Sequence, residues 1–201
     1  VSHELRTPLT SIRSFSEILL DNPDLELAQR REYLRIVVKE SERLTRLINQ
    51  VLDLAKFDAD RMEWHIQSRD LNVLVQEAVS AVSQIFNERG IETAVELGTE
   101  PSIAEVDGDR IIQVLINLLS NGAKFCDPTH GRVSLKLIAG SDHFRIEVED
   151  NGPGIPSEQL DRVFDKFHPI AERQKEDSQG TGLGLEHCQR IIEHHGGRIW
   201  A

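Results

Sequence analysis

The apolar residues of the first sixty positions recur at steps of three and four, the spacing of one face of an α-helix. From Ser2 to about Leu20 they form a single stripe, made of Leu5, Leu9, Ile12, Phe15, Ile18 and Leu19. A turn sequence at residues 21–24 follows, and a second apolar stripe then runs to about Ala55. The pattern predicts a helical hairpin, in which Pro8 kinks or loosens the first helix near its start.

The two stripes of such a hairpin cannot both be buried within it. Pairing two hairpins into a four-helix bundle would bury them, so we expect a homodimer. The alternative is that the hairpin packs on the downstream domain of its own chain.

Beyond residue 60 the pattern changes to a mixture of helices and short strands. A polar stretch at 58–69 marks the boundary and includes a possible short strand at 62–66. The periodicity predicts helices over 71–89, about 109–125 and about 185–195, and strands at 91–97, 103–106, 132–138 and 144–149. Since helices and strands do not alternate regularly, we expect an α+β sandwich at 61–201, following the helical domain at 1–60. Residues 196–201 resemble a strand that is cut short.

Composition narrows the function classes. The chain carries 34 acidic and 23 basic residues, a formal charge of -11, which argues against nucleic-acid binding. No apolar run is long enough to cross a bilayer, and no signal-peptide pattern is present. Cys126 and Cys188 are far apart and form no CxxC pair, as in a reducing compartment, so we expect a cytoplasmic protein. A start at Val1, two residues before a candidate nucleophile, suggests a fragment of a longer chain.

The first candidate for chemistry is His3, which is followed at once by Glu4 and, one helical turn later, by Thr7. A neutral imidazole is a nucleophile near pH 7, and an adjacent carboxylate can fix its tautomer or accept its proton. Alone, the same residues are equally typical of a charged helix surface.

The second candidate is the segment 117–125, in which Asn117, Asn121 and Lys124 share one face of a predicted helix. Amide oxygens and an ammonium group suit a polyphosphate bound with magnesium. The alternative is a helix with two solvated or capping asparagines.

Two glycine-containing segments follow. Asp150-Asn151-Gly152-Pro153-Gly154 comes directly after a strand, where glycines permit close approach of a flat ligand and Asp150 can accept a hydrogen bond from an amine. Residues 180–185 form a glycine-rich loop before a helix, which is a natural phosphate cradle without a Walker lysine. Between them, the polar run 168–179 is either a mobile lid or a solvated loop.

In this order and spacing, the segments resemble the motifs of bacterial two-component sensor histidine kinases. Residues 2–12 resemble the H-box, 117–125 the N-box, 150–154 the G1-box, 164–167 the F-box and 180–185 the G2-box. The resemblance covers essentially the whole chain, and it implies a dimerisation and histidine-phosphotransfer hairpin followed by a Bergerat-type ATP-binding domain.

The resemblance also implies roles for individual residues. His3 would be the phosphoacceptor, Glu4 would orient and deprotonate it, and Thr7 would help to place a water that dephosphorylates the partner response regulator. Asn121 would be the Mg²⁺ ligand and Asp150 would recognise the adenine amine. The residues that the resemblance implies in ATP binding are Asn117, Asn121, Lys124, Phe125, Asp150, Gly152, Gly154, Ile155, Gly180, Thr181, Gly182, Leu183 and Gly184.

Three positions depart from the family pattern. Gly122 replaces the usual alanine, at a cost of up to about 1 kcal/mol in helix propensity. His168-Pro169 replaces an aromatic-arginine pair, and Glu186-His187 replaces a small and apolar pair. The spacing of His187, Cys188, His194 and His195 fits no common zinc signature, and His194 and His195 are better explained by favourable charge at a helix C-terminus, before a glycine cap.

The sequence predicts autophosphorylation of His3 by ATP with Mg²⁺, and transfer of the phosphoryl group to an aspartate of a response-regulator receiver domain. Two rival interpretations are an ATP-driven clamp, as in gyrase and chaperone ATPases, and an inactive dimerisation and docking module. The upstream hairpin argues against the first, and the intact motifs argue against the second.

Overall fold

The computed structural model describes residues 2–59, 61–165 and 184–201, without the side chains of residues 2–4, 50, 54 and 58. The chain divides into two units, Val1–Met62 and Glu63–Ala201. The first unit contains helices α1 (Ser2–Asp21) and α2 (Leu27–Asp58). The second contains, in order, β1 (Gln67–Asp70), α3 (Leu71–Arg89), β2 (Glu92–Glu96), β3 (Ile103–Val106), α4 (Gly108–Phe125), β4 (Arg132–Ala139), β5 (Phe144–Asp150), a 3₁₀ helix (Ser157–Arg162) and α5 (Gly184–His194).

The first unit is the helical hairpin that the periodicity predicts. Pro8 lies inside α1 without ending the helix. At the turn, the side chain and backbone N–H groups of Asn22 both donate to the Ile18 carbonyl, at 2.9 and 3.2 Å, and so satisfy the end of α1. Across the hairpin the rings of Phe15 and Tyr33 lie 5.3 Å apart.

The second unit confirms the α+β prediction. Its larger sheet has the strand order β2-β4-β5, with β2 parallel and β5 antiparallel to β4. A separate antiparallel pair joins β1 to β3. None of the helices in the described part of the chain combines the length and apolar character that a membrane crossing requires.

The core of this unit lies between α3, α4 and one face of β4. Strand β4 alternates as predicted, with Arg132 and Lys136 exposed and every second residue buried. Each buried aliphatic or aromatic side chain contributes about 1.5–3 kcal/mol relative to an exposed one. The principal buried residues are Leu71, Leu74, Val75, Ala78, Val82, Phe86, Ile111, Leu115, Leu119, Ala123, Val133, Leu135 and Leu137.

Helices of this unit begin and end at residues suited to capping. Asp70 caps the start of α3 by accepting a hydrogen bond from the Asn72 N–H. Gly90 ends the same helix in the left-handed conformation, with φ of 64°. Asp107 caps the start of α4. These local signals explain why the predicted helices agree with the observed ones.

Two predictions of strands were wrong. Residues 61–66 have no regular structure, and the first strand instead begins at Gln67, because residues 67–70 are the ones that pair with β3. Residues 197–201 also have no regular structure, so the strand expected at the end of the sequence is not formed. A strand requires a paired neighbour, which an isolated stretch of sequence does not reveal.

Candidate functional site

Helix α4 carries four of the predicted site residues on its second half. Asn117, Asn121, Lys124 and Phe125 are all half-buried, which leaves part of each side chain accessible to a ligand. The Lys124 ammonium lies 4.8 Å from the centroid of the Phe125 ring, within range of a cation–π interaction. The first and last of these four residues are eight residues apart, or about 12 Å along the helix.

Helix α5 begins against Asn117. The side-chain amide Nδ2 of Asn117 donates a hydrogen bond to Sγ of the buried Cys188, at 3.2 Å. At Gly184, the first residue of α5, an added Cβ would lie 2.7 Å from Oδ1 of Asn117. A larger residue here would require the Asn117 amide to shift, so the start of α5 and the middle of α4 lie in direct contact.

Gly122 connects α4 to the end of β5. An added Cβ at this buried glycine would lie 3.2 Å from the Val133 side chain and 3.7 Å from Cβ of Asp150. The structure therefore gives a reason for the departure from alanine at this position, since the helix packs closely against β4 and β5. Glycine lowers the helix propensity at this position, but it lets the backbone of α4 lie close to β4 and β5.

The turn after β5 is shaped by its glycines. An added Cβ at Gly152 would overlap the Phe125 carbonyl oxygen and would lie 2.5 Å from Oδ1 of Asp150. Oδ1 of Asp150 accepts a hydrogen bond from the Gly152 N–H at 2.8 Å, and the Asp150 residue is exposed. Gly154 has a φ of 73°, and Ile155 beyond it is half-buried. The carboxylate is thus oriented by its own turn while it stays open to a ligand.

Asn151 is a structural residue of this region that sequence reasoning missed. Its Oδ1 accepts hydrogen bonds from the N–H groups of Asp127 and Arg132, at 3.2 and 2.9 Å, and its Nδ2 donates to the His130 carbonyl at 2.7 Å. The side chain therefore joins the turn after β5 to the loop between α4 and β4. An asparagine inside a turn after a strand was the available signal, because this residue type commonly bonds to nearby backbone.

A second missed cluster lies at the other end of α4. The Asp107 N–H donates to Nε2 of His195 at 2.9 Å, which makes that nitrogen an acceptor. Nδ1 of His195 therefore carries the proton and donates to the Ile191 carbonyl at 2.7 Å. The ring thus links α5 to the start of α4 through two hydrogen bonds, instead of supplying the charge that the sequence predicted at the end of the helix. The ring of Trp64 stacks on that of His194, with centroids 3.7 Å apart. The segment before β1 is thereby attached to the end of α5.

Glu186 and His187, which depart from the family pattern, are both buried in the first turn of α5, with 4% and 3% exposure. Arg190 lies one turn further along, and its Nε is 3.5 Å from Oε1 of Glu186. Burial of a carboxylate is costly unless it is paired, so this ion pair offsets part of that cost.

The structure brings the described site residues of the second unit together at α4, the end of β5 and the start of α5. Thr7 belongs to the first unit, on the exposed part of α1. The side chains of His3 and Glu4 lie outside the described residues, as do Phe167, Gly180, Thr181, Gly182 and Leu183, together with the predicted lid at 168–179.

Two family models match the chain. The His Kinase A (phospho-acceptor) domain matches residues 1–60, and the histidine kinase-, DNA gyrase B- and HSP90-like ATPase domain matches residues 106–201. The sensor histidine kinase WalK of Bacillus subtilis is 34% identical over 209 residues, which cover 100% of this chain and 33% of the relative. The chain thus spans about a third of the length of the curated relatives it matches.

Solved structures agree. Histidine kinase ThkA in complex with the response regulator protein TrrA has a TM-score of 0.74 and 26% identity, with coverage of 100% of this chain and 55% of that chain. Full-length ShkA in complex with AMPPNP has a TM-score of 0.68 and 30% identity, with coverage of 99% and 41%. The phospho-acceptor domain thus precedes the ATPase domain in this chain, and the chain belongs to the family of two-component sensor histidine kinases, as its catalytic core.

Proposed function

We propose that this chain transfers the γ-phosphoryl group of ATP to His3 and then to an aspartate of a response regulator. The observation that carries the proposal is the convergence of Asn117, Asp150, Gly152 and Gly184 around the second half of α4, in a chain that also holds a phospho-acceptor hairpin. These four residues come from three motifs of the family pattern, since Asp150 and Gly152 belong to the same one.

The residues present fit ATP and Mg²⁺. Asp150 is exposed at the end of a strand and is oriented by the Gly152 N–H, so its carboxylate is able to accept a hydrogen bond from the adenine amine. The amide oxygens of Asn117 and Asn121 are hard donors of the kind that Mg²⁺ prefers, and Lys124 adds positive charge for phosphate. When bound, ATP supplies the phosphoryl group and Mg²⁺ neutralises its charge.

In the transfer step, one ring nitrogen of His3 forms a bond to the γ-phosphorus while the bond from phosphorus to the bridging oxygen of ADP breaks. Glu4 accepts the proton that the imidazole loses. The bond from phosphorus to the His3 nitrogen then breaks as phosphorus forms a bond to a carboxylate oxygen of the response regulator, and His3 returns to its unphosphorylated state. Thr7, one turn from His3 on α1, has the proposed role of placing a water for the dephosphorylation of that regulator.

The exposed apolar residues of the hairpin support a homodimer. Side chains on both helices lie more than half exposed, among them Leu9, Leu20, Leu27, Val38 and Leu52. A second hairpin packed on the first would bury this apolar surface, which stabilises the dimer by about 25 cal/mol for each Å² removed from water. We expect sedimentation equilibrium to give twice the chain mass, whereas a Val38→Glu and Leu52→Glu double variant should give the monomer mass.

The test of the kinase activity is incubation with γ-labelled ATP and Mg²⁺, followed by measurement of the acid stability of bound label. Acid-labile label on the wild type that is lost in His3→Gln and Asn121→Ala would support the proposal. His143→Gln is the matched control, because His143 is exposed in the turn between β4 and β5 and should leave labelling unchanged.

Two other outcomes would overturn the proposal. Hydrolysis of ATP without label on the protein would instead support a clamp. Nucleotide binding without either hydrolysis or label would support a docking module. Thr7→Ala should retain His3 labelling while slowing the loss of phosphate from a phosphorylated regulator.

A further inference from the structure

The thiol of Cys188 lies in the second turn of α5, with 1% exposure, and makes two polar contacts. Sγ is 3.9 Å from the Val114 carbonyl oxygen, to which the S–H group donates, and it accepts the hydrogen bond from Nδ2 of Asn117 at 3.2 Å. A protonated thiol in this position presents a lone pair to Asn117.

This contact selects one orientation of the Asn117 amide. The nitrogen faces the sulfur, which can accept, so the oxygen Oδ1 points away from the sulfur, on the opposite side of Cγ within the amide plane. There it meets Gly184, where any Cβ would come within 2.7 Å of it. Gly184 and Cys188 are four residues apart on one face of α5, and together they form a notch that holds the amide.

We infer that Cys188 is a positioning residue for Asn117. It orients the Asn117 amide so that the amide oxygen faces the start of α5. There the proposed site would hold the magnesium-bound phosphates of a nucleotide. This inference rests on the proposed function, since it assigns the oriented oxygen to that ligand. An apolar side chain would fill the same space, but it would leave the Asn117 N–H groups without the sulfur acceptor, and the two amide orientations would then compete.

The test is equilibrium binding of AMPPNP to the whole chain, measured by calorimetry once with Mg²⁺ and once with EDTA. Loss of one hydrogen bond of ordinary strength predicts that Cys188→Ala weakens binding with Mg²⁺ about three- to tenfold. Binding with EDTA should change much less, because the oxygen acts on the metal-bound phosphates. Cys188→Ser should restore part of the affinity, since a hydroxyl group also accepts a hydrogen bond.

Two control variants separate positioning from a general loss of stability. Cys126→Ala removes the other, half-buried thiol and should bind as the wild type does. Val82→Ala creates a cavity in the core on α3 and should lower the melting temperature without changing the ratio of affinities with Mg²⁺ and with EDTA.

A double-mutant cycle gives the sharpest outcome. In the Asn117→Ala background, Cys188→Ala should have no further effect on binding with Mg²⁺. An undiminished effect in that background, or an unchanged affinity of Cys188→Ala in the wild-type background, would overturn the inference. Wild-type protein that binds nucleotide but is never labelled on His3 would overturn the proposed transfer and leave this inference standing, whereas a wild type that binds no nucleotide would overturn both.

Discussion

Asp70 and Asp107 both cap helices, yet they use their carboxylates differently, and this difference yields a quantitative prediction. Oδ1 of Asp70 accepts both of its hydrogen bonds, from the N–H groups of Asn72 and Ser102, at 3.0 Å each. Asp107 uses both oxygens, Oδ1 for the Arg110 N–H at 3.2 Å and Oδ2 for the His65 N–H at 3.0 Å. Replacing one oxygen by an NH₂ group therefore affects the two sites unequally.

Asp70→Asn keeps its single accepting oxygen, and asparagine is as good an N-cap as aspartate, so we expect a loss of less than about 0.5 kcal/mol. Asp107→Asn turns an NH₂ group toward one backbone N–H, whichever way the amide is oriented. Asp107 is 4% exposed, so the orphaned donor costs about 1–3 kcal/mol. At about 2–4 °C per kcal/mol, the melting temperature should fall by roughly 2–12 °C for Asp107→Asn and by less than about 2 °C for Asp70→Asn.

The assay is thermal unfolding followed by tryptophan fluorescence. Both tryptophans, Trp64 and Trp200, belong to the unit at 63–201, so the signal reports on the unit that holds both aspartates. Equal losses in the two variants, or a larger loss for Asp70→Asn, would refute the argument from separate oxygens.

Three further predictions concern the same unit. Burial acts to raise the pKa of the Asp107 carboxyl, but the N–H groups of His65 and Arg110 outweigh it and lower that pKa below the ordinary value. The difference in urea midpoint between wild type and Asp107→Asn should therefore be full at pH 7 and shrink as the pH falls below about 4. A difference that stays constant with pH would contradict this. Asn151→Ala removes three hydrogen bonds and should lower the free energy of unfolding, measured in urea, by roughly 1.5–3 kcal/mol. A loss below about 0.5 kcal/mol would show that the loop between α4 and β4 does not depend on the Asn151 side chain. Gly152→Ala places a methyl group against the Phe125 carbonyl and should weaken AMPPNP binding by about tenfold or more. Gly98→Ala is the control and should bind normally, because the nearest atom to its added methyl group is 3.8 Å away. Similar affinities for the two variants would count against the close contact between Gly152 and the Phe125 carbonyl.

The sequence determined the elements whose signals are local. The periodicity of α1 and α2 and the alternation of β4 each depend on residues a few positions apart, so they are readable without a fold. The order of the motifs was likewise readable, because the family resemblance is carried by short segments in a fixed sequence. The two wrong strands, at 62–66 and 196–201, are the elements that required a partner strand.

Only the tertiary structure decided which residues orient the predicted site residues. Asn117 and Cys188 are 71 positions apart, and Asp107 and His195 are 88 positions apart, so no local pattern relates them. The glycine at 122 looks like a loss of helix propensity until Val133 and Asp150 are seen beside it. In each case the reason is the same: a close packed contact is a property of two surfaces, and one stretch of sequence specifies only one of them.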